Sequence, residues 1–210
     1  VDDGSTDDSI ESISGIADSR IRLIRDGKRL GLAKRLNQMV ALARGEYFAR
    51  MDADDLMFPE RLERQYAILS APSNDVDILA SAIVSIDCNN VPIGVRELKA
   101  SRITACDILG RGGIVHPTVM GKTSWFRENL YSSNFPRAED RELWARTISH
   151  SGIYVMSEPL LFYREVGLGD PQKILTGYAS ERRIIRLYGK SLVGGLRSAE
   201  LIIRSLVKSF

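Results

Sequence analysis

Phe48-Ala49-Arg50-Met51-Asp52-Ala53-Asp54-Asp55 sets three carboxylates within four residues at the end of a short apolar run, and Leu56-Met57-Phe58-Pro59 leads on into a helical pattern. Strand, acidic tip, helix is the order this predicts, with the acids at the carboxyl end of a strand, where open α/β sheets bind ligands. Acids packed so closely repel one another unless they share a cation, and alternate carboxylates on a tight turn reach one hard metal ion. A solvated turn is the plain alternative. A calcium loop counted from Asp52 would place Asp54 third and Glu63 twelfth, but Met57 holds the sixth position, where the bend needs glycine, and Pro59 interrupts it. A phosphatase with an aspartate nucleophile also carries Asp-x-Asp after a strand. It requires a second cluster of lysine and acid near the chain's end, and no convincing one is found there.

The 210 residues, 44% of them hydrophobic, suit one globular domain with a sizeable core. The 29 basic residues are spread along the chain and the net charge is +2, which gives no nucleic-acid footprint. Cys88 and Cys106 have no metal-type spacing and read as reduced thiols of a cytoplasmic protein. No apolar run approaches the roughly 20 residues that cross a bilayer, and no signal peptide opens the chain. Val1-Asp2-Asp3-Gly4 reads as the end of a strand whose beginning is absent.

Ser5, Thr6 and Asp7 form a capping sequence, and Ile10, Ile13 and Ile16 follow at helical spacing. Asp2 and Asp3 thus stand where a strand hands over to a helix. Arg20-Ile21-Arg22-Leu23-Ile24-Arg25 predicts a short strand. Leu32, Leu36, Met39, Val40 and Ala43 mark one face of a helix opened by Gly31 and closed by Gly45. Residues 46–51 lead as a strand into the acidic tip, and Leu62, Tyr66 and Leu69 mark the face of the helix after Pro59. This alternation predicts a mixed, mainly parallel central sheet flanked by helices. Val76–Val84 is a further strand, which Asn89-Asn90 turns back toward Val91–Val95 as an antiparallel pair. Ala100–Leu109 reads as a helix, Gly110, Gly112 and Gly113 as a loop, and Ile153–Met156 and Leu160–Tyr163 as two strands. Glu139 and Asp140 lie at a helix start, where the dipole favours negative charge. From about Asp170 the pattern is helical, broken at Gly189 and at Gly194-Gly195, and Lys190, Arg197, Arg204 and Lys208 share one face. A basic amphipathic helix of that kind lies on anionic membranes, or else presents a solvated charged face.

Six segments, taken together and in order, resemble the family 2 glycosyltransferases with the glycosyltransferase A-type fold. They are Val1-Asp2-Asp3-Gly4-Ser5-Thr6-Asp7, Gly31-Leu32-Ala33 with Asn37, Gly45-Glu46-Tyr47, Met51–Asp55 with Pro59-Glu60-Arg61-Leu62, His116-Pro117-Thr118-Val119-Met120, and Glu139-Asp140 with Leu143-Trp144. The resemblance implies a nucleotide-diphospho-sugar transferase domain, Rossmann-like, over residues 1–165, with its first strand and helix preceding residue 1, and a helical extension over 166–210. It implies that Asp3, beside Asp2, contacts the nucleobase of a donor, that Asp52 lies near ribose and diphosphate, and that Asp54 holds Mg²⁺ or Mn²⁺ while Asp55 supports the turn. It makes Asp140 the catalytic base, Glu139 its neighbour, and His116 part of the acceptor side. The pattern departs where relatives carry a histidine after the Tyr-Arg pair, since Tyr163-Arg164 is followed here by Glu165-Val166-Gly167. The expected activity is inverting transfer of a hexosyl or N-acetylhexosaminyl group from a nucleotide sugar, a UDP-sugar, to a glycan or lipid-linked acceptor in cell-envelope polysaccharide synthesis. The expected location is the cytoplasm, with peripheral contact at the inner face of the membrane through residues 190–210. A non-catalytic sugar-nucleotide binding module is the rival reading, alongside the phosphatase.

Overall fold

The computed structural model describes residues 1–72, 75–96, 99–165 and 170–209. Its strands are β1 (Tyr47–Ala49), β2 (Leu56–Met57), β3 (Ile78–Ile86), β4 (Pro92–Arg96), β5 (Ser101–Arg102), β6 (Met120–Lys122) and β7 (Ile153–Arg164). The helices are α1 (Ser9–Ser14), α2 (Leu32–Leu42), α3 (Arg61–Leu69), α4 (Ala105–Arg111), α5 (Thr123–Glu128), α6 (Glu139–Thr147), α7 (Pro171–Val193) and α8 (Gly195–Val207). A strand covered on both faces reads as an unbroken apolar run, and β3 is the one that does: Ile78, Leu79, Ala80, Ala82, Ile83 and Ile86 are all buried. It lies parallel to β7 along its whole length, and each strand's other edge is shared between two short antiparallel partners. On β3 these are β6 and β4; on β7 they are β5 and β2. β1 pairs antiparallel with β6 at the margin.

The architecture is therefore a mixed sheet flanked by helices, but its weight differs from the expected, mainly parallel sheet. Among the described residues β3 with β7 is the parallel pair and the remaining pairs are antiparallel. The reason lies in the first residues. Residues 20–25 form no strand, and one backbone bond, from Asp2 N to Ile24 O at 2.9 Å, is what joins that segment to the opening stretch. The two strands expected on either side of Pro159 are one strand, because Pro159 falls where the β3–β7 register shifts, opposite Ala82, and a proline is tolerated at such an irregularity. The helix expected from Ala100 begins at Ala105, after Thr104 and Asp107 close a reciprocal capping box. Gly189 does not break α7. An added Cβ there would stand 2.6 Å from the Ser198 hydroxyl, so the glycine permits close approach of α8, and the chain breaks at Gly194 (φ +82°).

The inward face of α3 is only partly the predicted one. Leu69 is buried as expected, but Leu62 and Tyr66 are exposed, whereas Arg61 and Gln65 are buried. Apolarity is a poor guide here because α3 covers strand ends whose carbonyls need donors. Arg61 Nη2 donates to Arg50 O at 2.7 Å, and Gln65 Nε2 donates to Thr118 O at 2.8 Å and Leu79 O at 3.2 Å.

Residues 166–169, where the expected domain boundary and part of the departing Tyr-Arg segment fall, lie outside the described residues. The helices beyond them share the main core through Ile184, Ile185 and Leu201. One face of α7 also holds α6 and the segment that leads into it. Ser180 Oγ donates to Pro136 O at 2.8 Å, Glu181 pairs with Arg141 at 3.0 Å, and Tyr188 donates to Glu142 at 2.8 Å.

The start of the parallel pair is fixed by Gly152, whose carbonyl accepts from Asp77 N at 2.8 Å and Ile78 N at 3.1 Å. A Cβ at Gly152 would fall 1.7 Å from Asp75 O, a backbone atom with no room to yield. Gly152→Ala is therefore expected to cost about 3 kcal/mol, read as a lower midpoint in urea unfolding. Glu181→Gln, which leaves the partly buried Arg141 guanidinium without its counter-charge, is expected to cost about 2 kcal/mol in the same measurement.

Candidate active site

Arg50 directly follows β1, and the acidic tip comes after it. Arg50 N donates to Val119 O at 2.9 Å, so the chain stays in the sheet up to the residue before Met51 and then turns. Asp52, Asp54 and Asp55 follow, with one carboxylate oxygen from each within 4.8 Å of the others. Arg164, at the end of β7, fastens this turn. Its backbone N–H donates to Asp55 Oδ1 at 2.9 Å and its Nε to Asp54 O at 2.7 Å, while Nη1 and Nη2 reach Asp87 O and Asn90 Oδ1. Burial raises the carboxyl of Asp52 above its ordinary range, and repulsion from Asp54 adds to this while Arg50, at 2.5 Å, offsets part of it. Burial likewise raises Asp55, against the amide of Arg164. Asp55 Oδ2 is sealed from solvent and has no hydrogen-bond partner.

His116 opens a short 3-10 turn, His116–Thr118, that Thr118 ties down on both sides. Its hydroxyl donates to Val115 O at 2.7 Å and accepts from Ser81 N at 3.0 Å. The imidazole is buried, which drives its pKa well below the usual value, and the charge of Arg50 works in the same direction. His116 is thus neutral at pH 7, and its 4.0 Å approach to Asp140 is not an ion pair. Nε2 lies 2.9 Å from the Tyr131 hydroxyl, and Tyr131 is itself fixed by two backbone bonds to the side chain of Asn37.

Asp140 sits in the first turn of α6 and accepts from Arg141 N at 2.7 Å. Its side chain keeps 28% of its surface open, but that surface lies in a concave wall. Burial and then the neighbouring Glu139 raise its pKa to about 6. A carboxyl tuned to within about a unit of neutrality is suited to accept a proton.

A cleft of about 1010 Å³ gathers these groups. Asp52, His116, Glu139 and Asp140 all line it, together with Tyr163 and the α7 residues Gly177, Tyr178 and Glu181. Asp2, Asp3 and Asp54 are not part of its lining. Asp3 adjoins it through Gly31, next to Leu32 in the wall. Its carboxylate accepts from Leu30 N at 2.7 Å, Gly31 N at 3.1 Å and Arg35 Nε at 2.9 Å. Burial works to raise the Asp3 carboxyl, but these donors outweigh it and hold it below the ordinary range. Asp2 Oδ1 accepts from Ser5 N at 2.9 Å, and Oδ2 is buried without a partner.

The sequence reading did not single out Arg50 or Arg164. Arg50 follows an apolar pair and precedes Met51, so nothing in its spacing separates it from a strand-end surface cation, although its alternation with exposed Met51 is a weak signal of burial.

Comparison with known proteins supports the earlier resemblance. Among solved structures, Staphylococcus aureus TarS residues 1–349 in complex with UDP superposes with a TM-score of 0.65 over 97% of this chain and 59% of that solved chain, at 16% identity, which shows the shared fold. A glycosyltransferase of Methanocaldococcus jannaschii whose activity is uncharacterized is 32% identical over 153 residues, 70% of this chain and 51% of that protein. The bifunctional glycosyltransferase pgtA of Dictyostelium discoideum is 30% identical over 206 residues, 79% of this chain and 27% of its own length. The chain thus spans about half or less of the length of these curated relatives. Residues 1–133 match the family described as glycosyl transferase family 2, and with the A-type fold around its acidic turn the chain belongs to that family.

Proposed function

We propose that the cleft transfers a sugar from a nucleoside diphosphate donor, a UDP-sugar, to a hydroxyl of a glycan or lipid-linked acceptor in cell-envelope polysaccharide synthesis, with inversion at the anomeric carbon. The observation that carries this reading is the joint presence in one cleft of Asp140, with its pKa near 6, and Asp52 of the acidic turn. UDP in the TarS complex supports the choice of donor. Asp140 takes the proton from the acceptor hydroxyl as its oxygen attacks the anomeric carbon, and the nucleoside diphosphate leaves from the opposite face. Direct displacement of this kind needs no second nucleophile. Glu139 keeps the Asp140 carboxyl basic by repulsion, and neutral His116 lines the acceptor side without competing for the proton. Asp2 and Asp3 serve the nucleobase end at the rim. The proximity of three carboxylates and the unpartnered Asp55 Oδ2 fit a hard divalent cation, Mg²⁺ or Mn²⁺, held by Asp54 with Asp52 and Asp55 beside it. Such an ion, when bound, neutralises charge on the diphosphate.

Asp140→Asn is expected to lower turnover about 10²- to 10⁴-fold while nucleotide binding is retained. The assay is nucleoside diphosphate release across a donor panel with Mn²⁺, using the protein with any residues that precede Val1 restored. Unchanged turnover in the variant would mean that Asp140 is no base. If the wild type binds nucleotide sugars without turnover, it is a binding module. If it turns over only phosphate esters, it is a phosphatase. In the wild type the rate should fall on the acid side through a pKa of about 6 as Asp140 is protonated. Because folding raises that pKa, the stability tied to Asp140 is greatest below about pH 4 and is lost as pH rises through about 6. Asp140→Asn should therefore melt at the same temperature as wild type, or higher, at pH 8.

Peripheral membrane contact belongs to the same proposal. Lys190 lies on α7, before the break, which leaves Arg197 and Arg204 on α8 and Lys208 at its C-cap, beside an outward row of exposed Leu196, Ile203 and Val207. No described helix is long and apolar enough to span a membrane, whereas an exposed apolar row flanked by cations suits the surface of an anionic bilayer. Co-sedimentation with phosphatidylglycerol vesicles should be lost in an Arg204→Glu/Lys208→Glu double variant. Equal sedimentation of wild type and variant would count against the contact.

A further inference from the structure

Arg50 is a buried cation in the wall of the cleft, and half of its terminal fork is unused. Its side chain is 4% exposed; Nη2 donates to Asp52 Oδ1 at 2.5 Å, while Nη1 is sealed from solvent and meets no acceptor. Its backbone is held at both ends, N–H by Val119 O and carbonyl by Arg61, so the side chain projects from a rigid base. Buried guanidinium groups elsewhere in the chain are used more fully: Arg35 is as deeply buried, and its Nε, Nη1 and Nη2 are all bonded. A charged N–H without an acceptor is costly, and such a group in a ligand cleft is accounted for by a ligand that completes it. The placement fits an anion. The charge of Arg50 is felt by Asp52 and Asp55 on the acidic turn, and by His116 and Asp140, which line the same cleft.

We propose that Arg50 is a donor-binding residue whose free Nη1 donates to a phosphate oxygen of the nucleoside diphosphate, with Asp52 standing in as the partner of the same guanidinium while the cleft is open. This rests on reading the cleft as a nucleotide-sugar site. A guanidinium fork matches phosphate in shape and charge, and its hold tightens as the leaving diphosphate gains negative charge. No other lining cation combines such burial with an unpartnered terminal nitrogen among the described residues.

The test is calorimetric binding of UDP and of uridine, each with Mn²⁺, to wild type, Arg50→Lys and Arg50→Met, with thermal melting as the control for folding. The lysine keeps the charge and one bond to Asp52 but cannot hold Asp52 and phosphate together. UDP affinity should fall about tenfold in Arg50→Lys and about a hundredfold in Arg50→Met, with uridine affinity nearly unchanged. Should the methionine variant fail to melt cooperatively, the lysine variant decides. Unchanged UDP affinity in a folded variant overturns the role of Arg50 alone, as does an equal loss for uridine and UDP, which would assign Arg50 to pocket shape. Failure of the wild type to bind UDP, GDP, CDP or dTDP overturns the nucleotide-sugar reading itself, and this inference with it.

Discussion

The parallel pairing of β3 with β7 is the constraint to which the cleft is referenced. At one end Gly152 fixes the register through Asp77 and Ile78; at the other, Arg164 carries the strand's position into the acidic turn through the backbone of Asp54 and the carboxylate of Asp55. β3 is buried along nearly its whole length, whereas β7 mixes buried with half-buried and exposed positions, so a one-residue slip of β7 would turn its buried side chains outward. The irregularity opposite Pro159 lets β7 continue past a residue that cannot donate to the ladder, and this is what brings Arg164 to the turn. The acidic turn is thus tied to a strand of the sheet through Arg164.

Two kinds of aspartate in this chain are separated by the direction in which their surroundings move them. Asp26 is held down at about 2 by its bonds to Arg35 and to Lys28 N, and Asp3 is also lowered, so the charged form of each is favoured and the loop they organise gains stability. Asp52, Asp55 and Asp140 are raised, in each case first by burial, so folding works against their charge. A carboxylate that lowers stability at neutral pH is not accounted for by packing, and its retention points to the chemistry of the cleft. By this criterion Asp3 is more tightly engaged with the protein than its place beside the cleft suggests, and Asp140 stands out among the acids at helix starts, which caps alone would otherwise explain.

What was legible in the sequence follows from what each pattern encodes. The acidic tip, the start of α6 at Glu139 and the close of α2 near Gly45 rest on local rules of turns and caps, and these hold. The expected alternation of strand and helix does not, since α1 and α2 follow one another with no strand between them and β2 stands between the acidic turn and α3. The parallel weight of the sheet was misread because Arg20–Arg25 has strand-like alternation but little to pair with in the fold. The inner face of α3 was partly misread because burial was equated with apolarity, whereas Arg61 and Gln65 are inside to satisfy carbonyls. Gly189 looked like a breaker because a sequence does not display the helix that will lie against it.

The cations were the least legible part of the site, and the reason is physical. Clustered acids announce themselves because their repulsion needs compensation, while the groups that compensate are supplied singly and from distant positions: Arg50 from just after β1, Arg164 from the end of β7. The same holds for α7, which linear reading set apart as an extension. Its Glu181 neutralises Arg141, the residue beside the proposed base, and its Gly177 and Tyr178 form part of the cleft wall. A helix that both lines the cleft and balances the charge of Arg141 next to Asp140 is part of the same wall system as Asp52. The α6 segment therefore keeps its geometry only while α7 remains packed against it.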